Sequence, residues 1–242
     1  MIKPSSQRRL NIFIDETGEF GFSGKSAKYY GISLVIHEQD KDITKEIDRL
    51  QQKFNELDFD RMFHIGDLIY GHGDYENMTI KERKKIYFAM YLFMKNIDVK
   101  YYSSFYEKKY SQNTQNLQRK IKMTLSDFIN NHITYFQQFN RIVVYYDGGQ
   151  SRLSNVIEEV FMNVNGYERR KNFNHLEKKL FQVADSLTFV DKLIFKYDNH
   201  LKFNKSERAF FPIGYIKMTK RAINSKRMDR TSKIRKAPFR AL

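Results

Sequence analysis

The sequence predicts an α/β domain in which helices flank a mixed sheet, and three observations support this. Short apolar segments rich in β-branched and aromatic residues alternate with segments whose apolar residues recur every three or four positions. The length of 242 residues and the hydrophobic content of 41% suit one packed core. No repeat or proline-rich linker divides the chain, so we expect residues 1–216 to form one domain.

Each element is predicted from its own pattern. Strands are predicted over residues 9–15, 28–37, 62–65, 99–106 and 141–146, with a further short strand between residues 165 and 177. Helices are predicted over residues 40–57, 79–96, 116–139, 151–164 and 178–195. The first two strands are joined by a glycine-rich turn and form a hairpin. Thr79 and Glu82 have the spacing of a capping box, and the unbroken apolar run 141–146 indicates a strand buried on both faces.

The composition excludes several classes of protein. Because the chain has no cysteine, it cannot form disulfides or thiolate-zinc sites. Neither a signal peptide nor an apolar segment of membrane-spanning length is present, so we expect a cytoplasmic protein that does not insert into membranes.

The net charge of +15 is concentrated near the C-terminus. Ten Lys and Arg residues lie between positions 217 and 240, where Asp229 is the only acid. This clustering predicts that residues 217–242 form a solvated basic tail that contacts nucleic-acid phosphates. The predicted substrate-binding residues of the tail are Lys220, Arg221, Lys226 and Arg227. The alternative is a basic end that only keeps the protein soluble.

Three aspartates are the principal candidates for a site. Asp15 and Asp147 each end an apolar strand, at the position where ligands bind in open α/β sheets. Asp185 lies on the apolar face of the last helix, where an unpaired carboxylate would be costly to desolvate. If the three converge at one sheet edge, they form a site for divalent metal. The alternatives are a turn cap for Asp15 and a salt bridge for Asp185.

Four further residues border these acids. Glu16 follows Asp15 and is the weaker metal ligand, because neighbouring strand residues point to opposite faces. Gln182 precedes Asp185 by three residues, so it is placed to orient that carboxylate or to contact substrate. His64 and Asp67 have the same spacing and can face one direction in a helical turn. They are candidates for proton transfer and metal binding, or else part of a polar loop.

These segments resemble motifs of the domain of unknown function 3800 family. Ile14-Asp15-Glu16-Thr17-Gly18 resembles its Asp-Glu-Ser-Gly opening, and His64-Ile65-Gly66-Asp67 resembles its His-x-x-Glu segment. Tyr146-Asp147-Gly148 and Gln182-Val183-Ala184-Asp185 resemble its later Asp and Gln-x-Ala-Asp motifs. The resemblance extends over residues 10–197. Thr17 replaces the usual Ser, and Asp67 replaces the usual Glu, which shortens the reach of that side chain to any metal.

The resemblance implies a ribonuclease H-like fold and a metal-dependent nuclease. Such enzymes carry acids on the first strand, at the end of a central strand and on a late helix, which here are Asp15, Asp147 and Asp185. Two Mg²⁺ or Mn²⁺ ions would be the cofactors of phosphodiester hydrolysis, and His64 would assist proton transfer. A role in phage defence or in a mobile element would be in keeping with this family. The alternative function is a catalytically inactive nucleic-acid-binding protein that acts with a partner.

An aspartic protease is the third class of function that the opening motif suggests. Glu16 stands directly before Thr17-Gly18, and the chain has no second Asp-Thr-Gly or Asp-Ser-Gly. The motif therefore does not favour a protease.

Overall fold

A five-stranded mixed sheet forms the centre of the protein. The structure is a computed structural model that describes residues 8–22 and 27–228. The strands are β1 (Arg9–Thr17), β2 (Tyr29–Glu38), β3 (Lys100–Glu107), β4 (Arg141–Tyr145) and β5 (Tyr167–Arg170). Their order across the sheet is β3-β2-β1-β4-β5. The predicted α/β class with a mixed sheet flanked by helices is confirmed.

The pairing of the strands places the end of β1 next to the end of β4. β1 and β2 form the predicted antiparallel hairpin, in which Asp15 lies opposite Ser33, and β3 extends it on the far side of β2. β4 runs parallel to β1 with Phe13 opposite Tyr145, and β5 runs parallel to β4. Because β1 and β4 are parallel, the residues that follow them emerge at the same edge. Val143 and Val144 are fully buried, as predicted for a strand covered on both faces.

Helices cover both faces of this sheet. The helices are α1 (Thr44–Asn55), α2 (Ile65–Tyr70), α3 (Ile80–Asn96), α4 (Thr114–Asn131), α5 (Ile133–Phe136), α6 (Ser151–Phe161), α7 (His175–Asp198), α8 (Lys205–Phe210) and α9 (Ile213–Asn224). α7 lies across β1 and β2, and α1, α3 and α9 share its apolar core. α4 and α6 pack together on the opposite face. The alternation along β1 divides its side chains between the two cores, with Phe13 on the α7 side and Ile14 on the α4 side.

Two predicted elements differ in the structure. The strand expected over residues 62–65 is absent, and a loop there leads into α2. Phe63 and Ile65 are buried while His64 is exposed, which imitates the alternation of a strand. The predicted helix 116–139 is broken at His132, which has φ −117° and ψ 20° and whose Nδ1 lies 2.9 Å from the Phe128 carbonyl.

Capping side chains set the start of two long helices. The capping box of Thr79 and Glu82 at α3 is confirmed. A second capping box, formed by Asn174 and Glu177, starts α7 three residues earlier than the sequence predicts.

The C-terminal part of the described chain is folded onto the sheet. α9 crosses the predicted boundary between residues 216 and 217, and it buries Ile216, Thr219 and Ile223. Beyond it, the backbone of residues 226–228 pairs with Tyr101 of β3. Residues 217–228 are therefore folded onto the core and do not form a solvated tail, because successive turns of α9 bury Ile216, Thr219 and Ile223. Residues 229–242 of the predicted tail lie outside the described residues.

The helices were compared with the length and apolarity that a membrane span requires. Within residues 8–22 and 27–228, every helix is too short or too polar to cross a lipid bilayer.

Candidate functional site

Asp15 and Asp185 line one cavity at the end of β1. Asp15 lies two residues after Phe13 and therefore points to the same side of the sheet, beneath α7. α7 brings Asp185 over this position because Leu180, Val183, Ala184 and Leu187 bury its apolar stripe against the core. The cavity has a volume of about 270 Å³. Its polar lining includes Asp15, Glu16, His64, Asp185, Thr188 and Lys192.

The acids at this edge repel one another. Burial raises the pKa of Asp15 well above its ordinary value, and the negative charges of Asp185, Glu16 and Asp147 raise it further. Burial also raises the pKa of Asp185, although His64 and a backbone N–H favour its charged form. The pKa of Asp15 thus reflects the charges of both Asp147 and Asp185, of which Asp185 alone shares its cavity. Such a concentration of negative charge favours binding of a cation.

Asp185 is held in place by the segment before α2. The backbone N–H of Ile65 donates to Asp185 Oδ2 at 2.9 Å, and His64 Nε2 lies 3.7 Å from Asp185 Oδ1. The predicted alternative, a salt bridge to Lys or Arg, is not found for Asp185 among the described residues. Asp185 thus presents a buried carboxylate to the cavity, and the nearby charge of Lys192 favours its charged form.

His64 also stabilises the start of α2. It is the N-cap of α2, and its Nδ1 accepts a hydrogen bond from the Asp67 N–H at 3.3 Å. The other ring nitrogen of His64, Nε2, faces Asp185. Asp67 Oδ2 lies 3.1 Å from His64 Nδ1, and Asp67 is not part of the cavity wall. Asp67 therefore borders the site through His64, which makes it a poor metal ligand.

Glu16 points to the other side of the sheet, as its position after Asp15 predicts. Its Oε1 accepts hydrogen bonds from the Tyr146 hydroxyl at 2.9 Å and from Gln150 Nε2 at 3.1 Å. Its Oε2 is buried and has no hydrogen-bond partner among the described residues. Burial raises the pKa of Glu16 to about 6, and the charge of Asp147 contributes to this shift.

Asp147 lies just beyond β4 and is exposed. Its Oδ1 accepts a hydrogen bond from the Gly149 N–H at 2.9 Å, so it closes its own turn. A Cβ at Gly149 would lie 3.4 Å from Asp147 Oδ1 and 3.4 Å from Glu16 Oε1. These two carboxylates therefore flank one glycine, and Asp147 stands beside the cavity wall without forming part of it.

Several predicted substrate-binding residues lie away from the cavity. Gln182 is 5% exposed and its Oε1 has no hydrogen-bond partner in the described part of the chain. Lys220 pairs with Asp198 at 2.5 Å, and Lys226 donates to the Ile97 carbonyl. Arg221 is exposed on α9.

Arg227 differs most from its predicted role as a phosphate contact. Its side chain is only 4% exposed and forms an ion pair with Asp191, which also accepts a hydrogen bond from Ser103. Both Lys226 and Arg227 satisfy internal acceptors, and their binding of substrate stays a prediction.

Lys192 and Thr188 also line the cavity, although neither was predicted from the sequence. Lys192 lines the cavity with its Nζ 4.0 Å from the centre of the Phe189 ring. Burial lowers the pKa of Lys192 to about 8. Thr188 Oγ1 donates to the Ala184 carbonyl at 2.8 Å and lies 3.4 Å from the Asp15 carbonyl. Residues 185, 188 and 192 share one helical face, and that spacing was the available signal.

The donor set suits a hard cation that keeps much of its hydration. Within the described residues, no group of three or more His, Asp or Glu side chains is arranged to hold a metal ion. Mg²⁺ is commonly bound by one or two carboxylates together with water and substrate phosphate oxygens. Asp15 and Asp185 supply two carboxylates, and the raised pKa of Asp15 reflects negative charge that a cation would offset. The residues present therefore fit Mg²⁺ or Mn²⁺ without a closed protein cage.

The pH dependence of stability provides a first prediction. The pKa of Glu16 rises from 4.5 to about 6 on folding, so the folded state holds this proton more tightly and loses stability as pH rises through that interval. Glu16→Gln keeps an Oε1 acceptor and cannot ionise. Relative to the original chain, this variant should gain about 2 kcal/mol in free energy of unfolding between about pH 4 and about pH 7.

Urea unfolding of both proteins without divalent metal measures this difference. A difference that is constant with pH would contradict the burial of the Glu16 carboxylate. Asp48→Asn, on the exposed surface of α1, is the control that should show no such trend.

Comparisons with known proteins give no further assignment. Neither a protein-family model nor a curated protein nor a solved structure matches this chain. The resemblance to the domain of unknown function 3800 family stays a prediction.

Proposed function

We propose that this protein is a metal-dependent nuclease that hydrolyses phosphodiester bonds of RNA or DNA. The observation that carries the proposal is the meeting of Asp15 and Asp185 in one cavity, although they come from opposite ends of the domain sequence. Their mutual repulsion would be relieved by a divalent cation. Lys192 on the same wall supplies positive charge for a phosphate.

A ribonuclease H-like fold is part of this proposal. The acids lie on the first strand, just beyond the parallel strand next to it, and on a late helix. This placement agrees with what the family resemblance implies for Asp15, Asp147 and Asp185. The five-stranded mixed sheet with helices on both faces supports the same fold.

Each residue of the site has a defined part in the proposed reaction. Asp15 and Asp185 would hold Mg²⁺ or Mn²⁺, and the carboxylates of Asp147 and Glu16, which flank Gly149, would be the ligands of a second ion. A bound divalent cation supplies an activated water and stabilises the charge that develops on the phosphate. His64 Nε2 faces Asp185 and is positioned to exchange a proton with solvent or with the leaving oxygen. Lys192 binds a phosphate oxygen of the substrate.

A nucleic-acid-binding protein without cleavage activity is the second candidate. The exposed position of Asp147 and its bond to the Gly149 N–H favour it, because a carboxylate engaged in its own turn is less available to a metal. Binding in that case would depend on salt and not on divalent metal.

A cleavage assay separates the two candidates. Labelled RNA, single-stranded DNA and duplex DNA are incubated with the protein in Mg²⁺, in Mn²⁺ and in EDTA. The nuclease predicts cleavage that requires metal and falls at least about a hundredfold in Asp185→Asn. Asp185→Asn retains an acceptor for the Ile65 N–H, so the fold is preserved. Salt-sensitive binding without cleavage of any substrate would support the second candidate and contradict the first.

Lys192 provides a prediction about substrate binding. Replacing its ammonium group by the apolar side chain in Lys192→Met should raise KM about tenfold with a smaller change in kcat, because a charged contact to the phosphate is lost. Burial disfavours the charged form of Lys192 and lowers its pKa to about 8, so the variant should not be less stable. Steady-state kinetics with a short labelled oligonucleotide test this, and Lys192→Arg should restore part of the binding. An unchanged KM in Lys192→Met would exclude the phosphate contact.

A further inference from the structure

We propose that a groove between α1, α3 and α9 binds single-stranded nucleic acid outside the acidic cavity. The groove has a volume of about 920 Å³, which exceeds that of the cavity at Asp15. We call it the lysine groove, and its defining residues are Lys81, Lys84, Lys85, Phe88, Leu92 and Tyr215. The inference rests on the proposed function, because a nucleic-acid strand bound in the groove would be the substrate that the cavity cleaves.

One face of α3 forms the wall of the lysine groove. Lys81, Lys84, Lys85 and Phe88 follow the spacing of three and four residues that aligns side chains on a helix. The opposite face of α3 is buried in the core through Ile86, Tyr87 and Met90. Lys81, Lys85 and Phe88 are exposed, so they remain available to a ligand in the groove.

The groove carries net positive charge, with four lysines and one glutamate along its walls. Lys81, Lys84 and Lys85 form no ion pair with other described residues. Glu82, the only acid of α3, is occupied by the capping box with Thr79. Glu56 on the facing wall is paired with Lys53 at 2.5 Å. The groove thus offers several ammonium groups to a polyanion.

Two exposed aromatic rings accompany these lysines. Phe88 is 42% exposed on α3, and Tyr215 is 41% exposed on α9. Proteins that bind single strands combine a positively charged groove with aromatic rings on which bases stack. Duplex DNA keeps its bases stacked on each other and could use only the lysines. A single strand can use both features, so it fits the lysine groove better than a duplex.

The recessed shape of the groove favours a nucleic-acid strand over a membrane surface as its ligand. The groove lies between the side chains of α1 and α3, with Tyr215 of α9 at its wall. An extended strand can enter such a groove, whereas a bilayer surface would meet only its rim. An anionic lipid surface is therefore the less suitable occupant.

Direct contacts connect the groove helix to the acidic cavity. Arg83 of α3 donates from Nη1 to the carbonyls of Leu68 at 2.5 Å and Ile69 at 2.9 Å in α2. α2 begins directly after His64, which lines the cavity. Both features lie on the α7 side of the sheet, so a strand bound along α3 is on the same side as the acids.

Binding measured in EDTA tests the groove independently of cleavage. The probe is a fluorescein-labelled oligothymidylate, followed by fluorescence anisotropy over a range of salt concentrations. The variant Lys81→Gln/Lys84→Gln/Lys85→Gln should bind at least about tenfold more weakly, and the slope of log K against log salt should fall by about 2. Phe88→Ala should weaken binding about fivefold or more, and Phe88→Tyr should retain it. A duplex of the same length should be little affected by Phe88→Ala.

A control variant removes equal charge elsewhere. Lys122→Gln/Lys171→Gln/Lys178→Gln changes three exposed lysines outside the groove and should bind almost as tightly as the original chain. Equal binding by the groove and control variants would overturn the proposal. Failure of the original chain to bind the oligothymidylate would also overturn it. The same holds if the groove variant binds the oligothymidylate normally but no longer binds phosphatidylglycerol vesicles. Groove-dependent binding without metal-dependent cleavage would support the groove and contradict the nuclease.

Discussion

Asp15→Asn is expected to abolish metal-dependent cleavage and to make the protein more stable. The substitution removes a carboxylate ligand at the centre of the acidic cavity, so the rate should fall at least about a hundredfold. It also removes a buried negative charge that Asp185, Glu16 and Asp147 repel. Loss of that repulsion should raise the free energy of unfolding by on the order of 1 kcal/mol at neutral pH without metal.

The opposite signs of the two effects make this test specific. A residue that only supports the fold would lose activity and stability together. Single-turnover cleavage and urea unfolding are measured on the same preparation, with Asp48→Asn as the exposed control. A destabilised Asp15→Asn protein would indicate that the carboxylate closes a turn, which was the alternative derived from the sequence.

Added metal should make the original chain more stable than Asp15→Asn, which is the reverse of their order without metal. The original chain should gain stability with Mn²⁺ according to the ratio of free metal to its dissociation constant, about 2.7 kcal/mol at a hundredfold excess over that constant. Asp15→Asn should gain little, because it lacks one of the two carboxylates of the cavity.

Arg227→Met is expected to destabilise the protein by about 3 to 5 kcal/mol. The ion pair of Arg227 with Asp191 is almost fully buried, with side-chain exposures of 4% and 2%. Burial raises the pKa of Asp191, and Arg227 and Ser103 favour its charged form. Without Arg227, the Asp191 carboxylate remains buried with only the Ser103 hydroxyl to balance it. Urea unfolding measures the loss.

The double variant Asp191→Leu/Arg227→Met separates charge from packing. Removing both charges should restore much of the lost stability, because no uncompensated charge stays in the core. If Arg227→Met leaves stability unchanged and weakens nucleic-acid binding, the original assignment of Arg227 as a phosphate contact is correct and the ion pair is not.

The sheet and its main helices were predictable because their signals are local. β1 and β4 are continuous apolar runs, and α1 carries Ile47, Leu50 and Phe54 on one face. The short strand over residues 62–65 was predicted wrongly because Phe63 and Ile65 alternate with the exposed His64. Such alternation occurs in strands, and it also occurs in loops that pack on a core. The distinction depends on whether a neighbouring strand is available, which no local pattern contains.

The acids of the site were predictable, but the cations were not. Asp15 and Asp185 stand out because a carboxylate beside an apolar run is costly without a partner. Arg227 belongs to a run of basic residues, and charge counting cannot distinguish an exposed guanidinium from one paired with Asp191. Lys192 was not predicted as a site residue, because a single lysine on a long helix is ordinarily solvated. Its position becomes informative only when Asp185 and Phe189 are placed on the same face.

The position of a bound cation shows whether Asp15 and Asp185 form a metal site. A crystal structure of the protein soaked in Mn²⁺, with anomalous scattering used to identify the metal, locates it without reference to activity. Mn²⁺ should be bound jointly by the carboxylates of Asp15 and Asp185, with water completing its coordination. Absence of Mn²⁺ from this cavity, with Mn²⁺ bound only at other acids, would contradict it.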